Sequence, residues 1–273
     1  MAKILLIETS TALCSAAVEI DGKVIASRRD ASRQHASLAA VFCDEVLREA
    51  GLKAGDLDAV CISDGPGSYT GLRVGLSTAK GLCFGSGAKM LSVSSLDVLA
   101  AMARNGGVPL PAKPLAAPGL TEGEGPKLAW EGPIASQSGL CGKECAKCSA
   151  IVPMIDARRM EVFTAEYDAQ GNRLSGIEAK VIDAETIREP LKGGHSIADI
   201  AAEAVFIGDG ALKCKDVIGN GTFIETLPDA ASMAGLAEKE YAAKNFRDVA
   251  YFEPFYLKDY IPTVSRKQWE KRQ

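Results

Sequence analysis

Residues 64–82 read DGPGSYTGLRVGLSTAKGL, a stretch with five glycines in nineteen positions. A glycine-rich loop that leads into a helix is typical of phosphate binding, so its spacing has to be compared with known phosphate motifs. Gly65, Gly67 and Gly71 give G-x-G-x-x-x-G, whereas the dinucleotide fingerprint needs G-x-G-x-x-G. The phosphate-loop motif is also missing, because Gly71 is followed by Leu-Arg and no Gly-Lys-Ser/Thr occurs at the required spacing. Neither motif therefore assigns a phosphate to this loop.

The helix predicted over 70–84 carries small residues on one face. Gly71, Gly75 and Ala79 are four residues apart, a spacing that places them on the same side of a helix. Glycine inside a helix costs about 0.5–1 kcal/mol relative to alanine, so two of them indicate that another backbone comes close. That backbone belongs either to the chain's own sheet or to another subunit, and a phosphate at the start of the helix is a third interpretation.

The segments around this helix predict an α/β fold. Strands are predicted at KILLIE, CSAAVEI and KVIASRR, and Asp21-Gly22 is a strong signal for a hairpin between the last two. A helix is predicted over 34–50, with one face formed by Leu38, Val41, Phe42 and Val46. With strands at LDAVCIS and KMLSVSS and a helix at SLDVLAAMAR, the first hundred residues run β-β-β-α-β-α-β-α. This order predicts a mixed sheet with helices on its faces.

The composition divides the chain into three parts. Residues 1–104 are predicted to form a first lobe, and 105–149 contain six of the twelve prolines without hydrophobic periodicity, which predicts an inserted, flexible connection. Residues 150–273 are predicted to form a second lobe with strands at AIVPMIDARR, MEVFTAEYD and AVFIGDG, a short helix near 183–190, a helix over 230–245 and a basic tail. Because each lobe begins with strands, a duplicated architecture is expected.

The whole-chain composition limits the function classes. The 273 residues are 47% hydrophobic and 24% charged, ordinary values for a soluble globular protein. The net charge of −4 gives no overall basic field for nucleic acid, so RNA would be held by a partner or by a local patch. Arg158 or Arg159 is a candidate for such a contact, with a structural salt bridge as the alternative. No signal peptide and no apolar run of about 20 residues is visible, so a cytoplasmic protein without membrane contact is expected.

The glycine-rich stretch resembles the signature segment of the TsaB family, the bacterial tRNA threonylcarbamoyladenosine biosynthesis proteins. The likeness extends to ILLIETSTALCSAAV, RQHASLAAVFCDEVLREAGL, MIDARRMEVFTAEYD and the turn IGDGA. It covers most of 1–104 and parts of 150–273, whereas 105–149 match nothing associated with the family. The resemblance implies a two-lobed actin-like α/β fold of the ribonuclease H-like and sugar-kinase-like type, with mixed sheets flanked by helices.

The resemblance also implies a role. TsaB proteins are regarded as non-catalytic partners of TsaD, the related subunit that transfers a threonylcarbamoyl group onto tRNA, and the ATPase TsaE joins the assembly. This chain would then bind and activate TsaD as a heterodimer, meet tRNA only through the complex, and pair with itself when the partner is absent. The helices near 36–50 and 70–84 would form the interface, with contacts from His35, Leu38, Gly71, Leu72, Gly75 and Ala79.

The competing hypothesis is a metallopeptidase-like or nucleotide-hydrolysing enzyme of the same fold. The catalytic relative carries an H-x-x-x-H metal pair on the helix that corresponds to SVSSLDVLAAMAR, and this helix contains no histidine. The two histidines of the chain, His35 and His195, have no evident nucleophile partner, so a catalytic triad is unsupported. The sequence therefore favours a chain that is not an enzyme on its own and holds no metal at this position.

Actin-like proteins bind a nucleotide between their lobes, and the resemblance implies a remnant of that cleft here. In that superfamily an acidic residue and hydroxyls at the end of the first strand face the phosphates and the metal, which points to Glu8, Thr9 and Ser10. Asp64 ends another strand, and Asp209 lies where related proteins approach the adenosine. These residues predict weak ATP or ADP binding with no required cofactor. The alternative is that the glycine turns serve backbone geometry alone.

Three clustered cysteines form the last candidate site. Cys141, Cys145 and Cys148 have the spacing C-x3-C-x2-C of radical S-adenosylmethionine enzymes, but their position in a mid-chain insertion rejects that identity. Free thiols on a flexible loop are the main interpretation, because a cytosolic disulfide would be unusual. A zinc or cluster site that uses Cys214 as a fourth ligand is the alternative.

Overall fold

The computed structural model describes residues 2–104 and 148–258, which form two α/β lobes. The strands of the first lobe are β1 (Lys3–Glu8), β2 (Cys14–Ile20), β3 (Lys23–Asp30), β4 (Ala59–Ser63) and β5 (Lys89–Val93). Its helices are α1 (His35–Glu49), α2 (Tyr69–Ser86) and α3 (Ser95–Arg104). The predicted order β-β-β-α-β-α-β-α is confirmed.

The first-lobe sheet has the strand order β3-β2-β1-β4-β5. β1, β2 and β3 are antiparallel, whereas β4 and β5 run parallel to β1. The hairpin closes at Asp21-Gly22, whose positive φ angles of 50° and 73° are typical of a tight two-residue turn. β4 is buried along its whole length, with alternate side chains in two different apolar cores.

The second lobe repeats this topology. Its strands are β6 (Ala150–Asp156), β7 (Glu161–Thr164), β8 (Tyr167–Asp168), β9 (Glu178–Val181), β10 (Ala204–Ile207) and β11 (Thr222–Ile224). The order β9-β7-β6-β10-β11 again joins three antiparallel strands to two parallel ones. The helices are α4 (Ile197–Ile200), α5 (Ala211–Ile218) and α6 (Ala234–Ala242), and α6 lies against β1 and β5 of the first lobe. The expected two-lobed duplication with mixed sheets is confirmed.

Helix α3 lies in an apolar core that both lobes share. Leu99 is completely buried there, together with Leu91 of the first-lobe sheet and Val205 of the second-lobe sheet. The hydroxyl of Tyr167 also donates a hydrogen bond to Asp97 Oδ1 of α3, at 2.6 Å. The lobes are therefore joined through packed side chains.

The small-residue face of α2 packs against the chain itself. A Cβ built on Gly71 would overlap the carbonyl oxygen of Thr9, and one built on Gly75 would overlap the Thr9 hydroxyl. That hydroxyl donates a hydrogen bond to the carbonyl oxygen of Gly71, at 2.9 Å. Leu72 and Ala79 are at most 1% exposed. The prediction that Gly71, Leu72, Gly75 and Ala79 form a subunit interface is therefore contradicted, because these residues fill the interior of the first lobe.

Two further details differ from the sequence-based expectations. Val41 was expected on the same face of α1 as Phe42, but it is 46% exposed. The helix predicted near 183–190 is only a 3-10 turn at Thr186–Arg188. The connection predicted at 105–149 lies outside the described residues except for its last two positions. Within the described ranges, no helix is long and apolar enough to span a membrane.

Candidate functional site

Helices α1 and α2 pack side by side and expose small and apolar residues. Val41 of α1 is 46% exposed, and Phe84 of α2 is 90% exposed. Gly81 follows Ser77 by four residues and precedes Phe84 by three, which places all three on one side of α2. A Cβ built on Gly81 would meet no atom within 4 Å. Val41, Ser77, Gly81 and Phe84 are called the paired-helix face below.

A groove of about 530 Å³ runs between the two helices. Ala40 and Asp44 line it from α1, and Ser77 and Gly81 line it from α2. Asp44 pairs with Arg48 one turn further along α1, so the charge at this edge is already balanced within the helix. Small residues on facing helices let a third helix approach closely, and the groove offers room for an apolar side chain.

The predicted contact residues on α1 stand at its first turns. Leu38 is half-buried against the first-lobe core. His35 lines the cleft between the lobes, and its Nε2 atom is buried without a hydrogen-bond partner among the described residues. Sequence reasoning missed Ser77, Gly81 and Phe84. The available signal was a second series of small residues at a spacing of four, at 77, 81 and 85.

A second candidate site is the cleft between the lobes, with a volume of about 850 Å³. Ser10 and Asp209 line it, as the nucleotide hypothesis expected. Glu8 is completely buried, and desolvation raises the pKa of its carboxyl group to about 7. Thr9 packs against α2, and Asp64 lines a different cavity. The prediction of one cleft is therefore wrong for three of its five residues.

The charged groups of this cleft come from both lobes. Arg33 and Arg158 line it, and both have positive φ angles, 62° and 75°, which are uncommon for arginine. Neither Arg158 nor Arg159 forms an ion pair within 4.0 Å among the described residues, so the predicted salt bridge is not found there. The arginines fit phosphate groups. The acidic residue expected to face the phosphates and their metal, Glu8, does not fit that role because it is enclosed.

The cysteine and histidine candidates do not assemble a metal site in the part of the chain that the structure describes. No three His, Cys, Asp or Glu side chains there are close enough to share an ion. Cys148 packs against the core shared by the lobes, whereas Cys214 is buried in a separate core of the second lobe. These two are not placed to ligate one ion, and Cys141 and Cys145 lie outside the described residues.

His195 has an acidic partner. Its Nδ1 atom lies 2.7 Å from Oε1 of the buried Glu166, and this contact raises the pKa of the imidazole. Among the described residues, no hydroxyl or thiol is hydrogen-bonded to the imidazole. The pair therefore lacks the nucleophile that a triad requires.

The chain is similar to known proteins over nearly its whole length. The tRNA threonylcarbamoyladenosine biosynthesis protein TsaB of Escherichia coli (strain K12) is 26% identical over 95% of this chain and 96% of that protein. The protein of the same name from Haemophilus influenzae is 26% identical over 94% of each chain. A structure from Pseudomonas aeruginosa, described as an uncharacterized protein with similarity to peptidase YEAZ, has a TM-score of 0.68 and 22% identity, and it covers 94% of this chain and 100% of that chain.

A protein-family profile matches part of the chain. Residues 22–120 fit the sequence profile of TsaD, described as tRNA N6-adenosine threonylcarbamoyltransferase. This range includes α1, α2 and α3, so the similarity to TsaD lies in the first lobe and its helices. The near full-length relatives confirm the resemblance to TsaB, and the structural neighbour supports the two-lobed actin-like fold.

Proposed function

We propose that this chain takes part in the synthesis of threonylcarbamoyladenosine in tRNA, as the subunit that binds and activates a TsaD-type catalytic subunit. Its near full-length relatives are named as tRNA threonylcarbamoyladenosine biosynthesis proteins, which supports participation in this process. The observation that carries the binding role is the paired-helix face, where Phe84 is 90% exposed on α2, the helix that lines the groove with Ser77 and Gly81. An exposed apolar patch, here Val41 and Phe84 on neighbouring helices, is typical of a protein–protein contact.

The partner is a protein with a similar pair of helices. Because the first lobe fits the TsaD profile, a TsaD-type subunit would offer its own counterparts of α1 and α2. Two such pairs meeting face to face form a four-helix contact, in which Phe84 is buried and the small residues let the helices come close. The same face can meet a second copy of this chain, which supports a homodimer when the catalytic subunit is absent.

The chain acts in this proposal without catalysis of its own. It requires no cofactor and contacts tRNA only through the assembly, which TsaE joins in the cytoplasm. The two arginines of the interlobe cleft, Arg33 and Arg158, support weak ATP or ADP binding. The competing proposal is a peptidase-like or nucleotide-hydrolysing enzyme. Its support is the fold and one structural neighbour that is described as similar to a peptidase.

The decisive experiment is reconstituted tRNA modification with TsaD, TsaE and the threonylcarbamoyl donor, with and without this chain. Modification should require the chain, and the chain alone should neither modify tRNA nor cleave a peptide or ATP. Phe84→Asp should weaken binding to TsaD by at least about tenfold and lower the modification rate, because a charge would be buried at the contact. Leu212→Asp is the matched control, since Leu212 is 43% exposed on α5 of the other lobe.

A measurement of mass against concentration separates the two assemblies. The homodimer should give way to a heterodimer when TsaD is added, and Phe84→Asp should leave this chain monomeric. Full activation by the Phe84→Asp protein would overturn the assignment of the paired-helix face. Turnover by the isolated chain would overturn the accessory role.

A further inference from the structure

The space between the lobes contains a second cavity, of about 690 Å³. It is separate from the interlobe cleft that Arg33 and Arg158 line. Phe255 lines both spaces, and its backbone nitrogen donates a hydrogen bond to the carbonyl oxygen of Asp64, at 2.8 Å. The walls are the ends of β4 and β5, the turn at 173–177 of the second lobe, and α6 with the segment that follows it. This volume is in the range of small-molecule sites.

The three acidic side chains of this cavity already have donors within the chain. Asp64 Oδ2 accepts a hydrogen bond from the Ser92 hydroxyl at 2.7 Å. Asp97 Oδ1 accepts the hydroxyl of Tyr167, and Glu240 Oε2 accepts the amide of Asn245. Their negative charge is therefore partly satisfied before any ligand enters.

The cationic side chains of the cavity are only partly compensated. Arg247 donates through Nε to the Ser92 hydroxyl at 3.0 Å, and Arg173 lies 3.8 Å from Asp97. Lys192 and Lys239 differ, because neither ammonium group has a carboxylate within 4.0 Å among the described residues. The cavity therefore contains two lysine ammonium groups that have no ionic partner among the described residues.

The two lysines approach from different parts of the fold. The alkyl stem of Lys192 packs on Gly176 of the second lobe, where a Cβ would lie 2.9 Å from the lysine Cδ. The backbone of Lys192 is fixed as well, since its carbonyl oxygen accepts the Gly176 amide at 2.6 Å. Lys239 stands on α6, which packs against the first-lobe sheet. A ligand held by both would bridge the lobes.

We propose that this cavity binds a small organic anion, whose carboxylate or phosphate group is held by Lys192 and Lys239. Val93, Ile177 and Leu236 supply an apolar wall for the body of the ligand. Lysine is a common partner of phosphate and carboxylate groups, and most of the other residues that line this cavity are polar or charged, which suits an anion with several polar groups. The site is distinct from the paired-helix face and from the cleft that contains Arg33 and Arg158.

Calorimetric titration of the full chain at low ionic strength tests the site, with inorganic pyrophosphate, AMP and citrate as probes. At least one probe should bind at one molecule per chain, and the preference between citrate and the two phosphates identifies the acid group. Lys192→Ala/Lys239→Ala should weaken that binding by at least about tenfold. Lys192→Arg/Lys239→Arg keeps both charges and should retain it within about threefold.

The matched control is Lys23→Ala/Lys215→Ala, which removes two exposed charges outside the cavity and should bind like the unmodified chain. All four lysines are exposed, so circular dichroism should show the same fold for every variant. Binding of no probe at millimolar concentration overturns the proposal. Binding that survives Lys192→Ala/Lys239→Ala also overturns it. AMP bound in the interlobe cleft, for example, would give that result. Binding to TsaD should be unchanged in these variants, so the two proposals fail separately.

Discussion

Two buried carboxyl groups, those of Glu8 and Glu19, and the half-buried carboxyl group of Asp64 make the stability of this protein depend on pH. Desolvation raises the pKa of Glu8 to about 7, of Glu19 to about 8 and of Asp64 to about 6. An acid whose folded pKa lies above its unfolded value holds its proton more tightly in the folded state. The free energy of unfolding is therefore highest below the unfolded pKa. It falls as pH rises between the two pKa values and levels off above the folded one.

Glu19 offers the clearest test of this pH dependence. It is 0% exposed, both carboxylate oxygens lack a hydrogen-bond partner among the described residues, and Glu238 adds repulsion. Glu19→Gln removes a charge that the folded state has to bury at alkaline pH. We expect the free energy of unfolding to rise by roughly 1–3 kcal/mol near pH 9 and to change little near pH 5.

Urea denaturation of both proteins at the two pH values measures the effect of Glu19→Gln. Glu225→Gln is the control, because Glu225 is exposed and its substitution removes the same charge without a change in burial. An equal effect of Glu19→Gln at both pH values would show that burial of the charge is not its cause.

The end of β1 shows why the sequence could not place these side chains. Glu8, Thr9 and Ser10 are adjacent in the chain, and the family resemblance assigned all three to one cleft. Successive side chains of an extended segment point in different directions. Glu8 therefore enters the interior, Thr9 packs on α2 and Ser10 alone lines the cleft. Which of the three side chains faces the cleft depends on the register of β1 against β2 and β4. That register is set by contacts between distant residues, so the local sequence does not reveal it.

Helix α2 carries two series of small residues with opposite roles. The sequence pattern predicted a helix over 70–84, and both ends lie within two residues of the observed helix, Tyr69–Ser86. Gly71 and Gly75 pack on Thr9 and Ala79 is buried in the first-lobe core, whereas the series at 77, 81 and 85 faces outward. Both series have the spacing of four, so periodicity cannot distinguish them. The distinction comes from the end of β1, which needs a neighbour without a side chain.

Single alanine substitutions separate the two series. Gly75→Ala places a methyl group against the Thr9 hydroxyl, which is itself tied to Gly71, and should lower the free energy of unfolding by about 1–3 kcal/mol. Gly81→Ala meets no atom within 4 Å and should raise it by about 0.5–1 kcal/mol, because alanine is the better helix former. Chemical denaturation measures both. A Gly75→Ala protein as stable as the unmodified chain would remove the evidence that this face is internal.

The architecture of the whole chain was predictable where the elements are long or their turns are specific. The first lobe follows from hydrophobic strands, the Asp21-Gly22 hairpin and three periodic helices. In the second lobe, β9, β11 and α4 have only three or four residues, too few for a period, and the sequence did not reveal them. The division of the space between the lobes by Phe255 was equally hidden, because it arises from a contact between residues far apart in the chain.

The shared core predicts that the two lobes unfold together. Leu99 of α3 is completely buried between residues of both sheets, and its Cδ1 atom would lie 3.2 Å from a Cβ on Gly208. Leu99→Ala should lower the free energy of unfolding by about 2–5 kcal/mol through the cavity it leaves. Hydrogen exchange should become faster in parallel at the amides of β4 and β10, one strand from each lobe, because side chains of both strands lie in the core that contains Leu99. The exposed Leu212→Ala should change neither strand. Faster exchange in β10 with β4 unchanged would show that the lobes are independent units, and binding at one lobe would then not restrain the other.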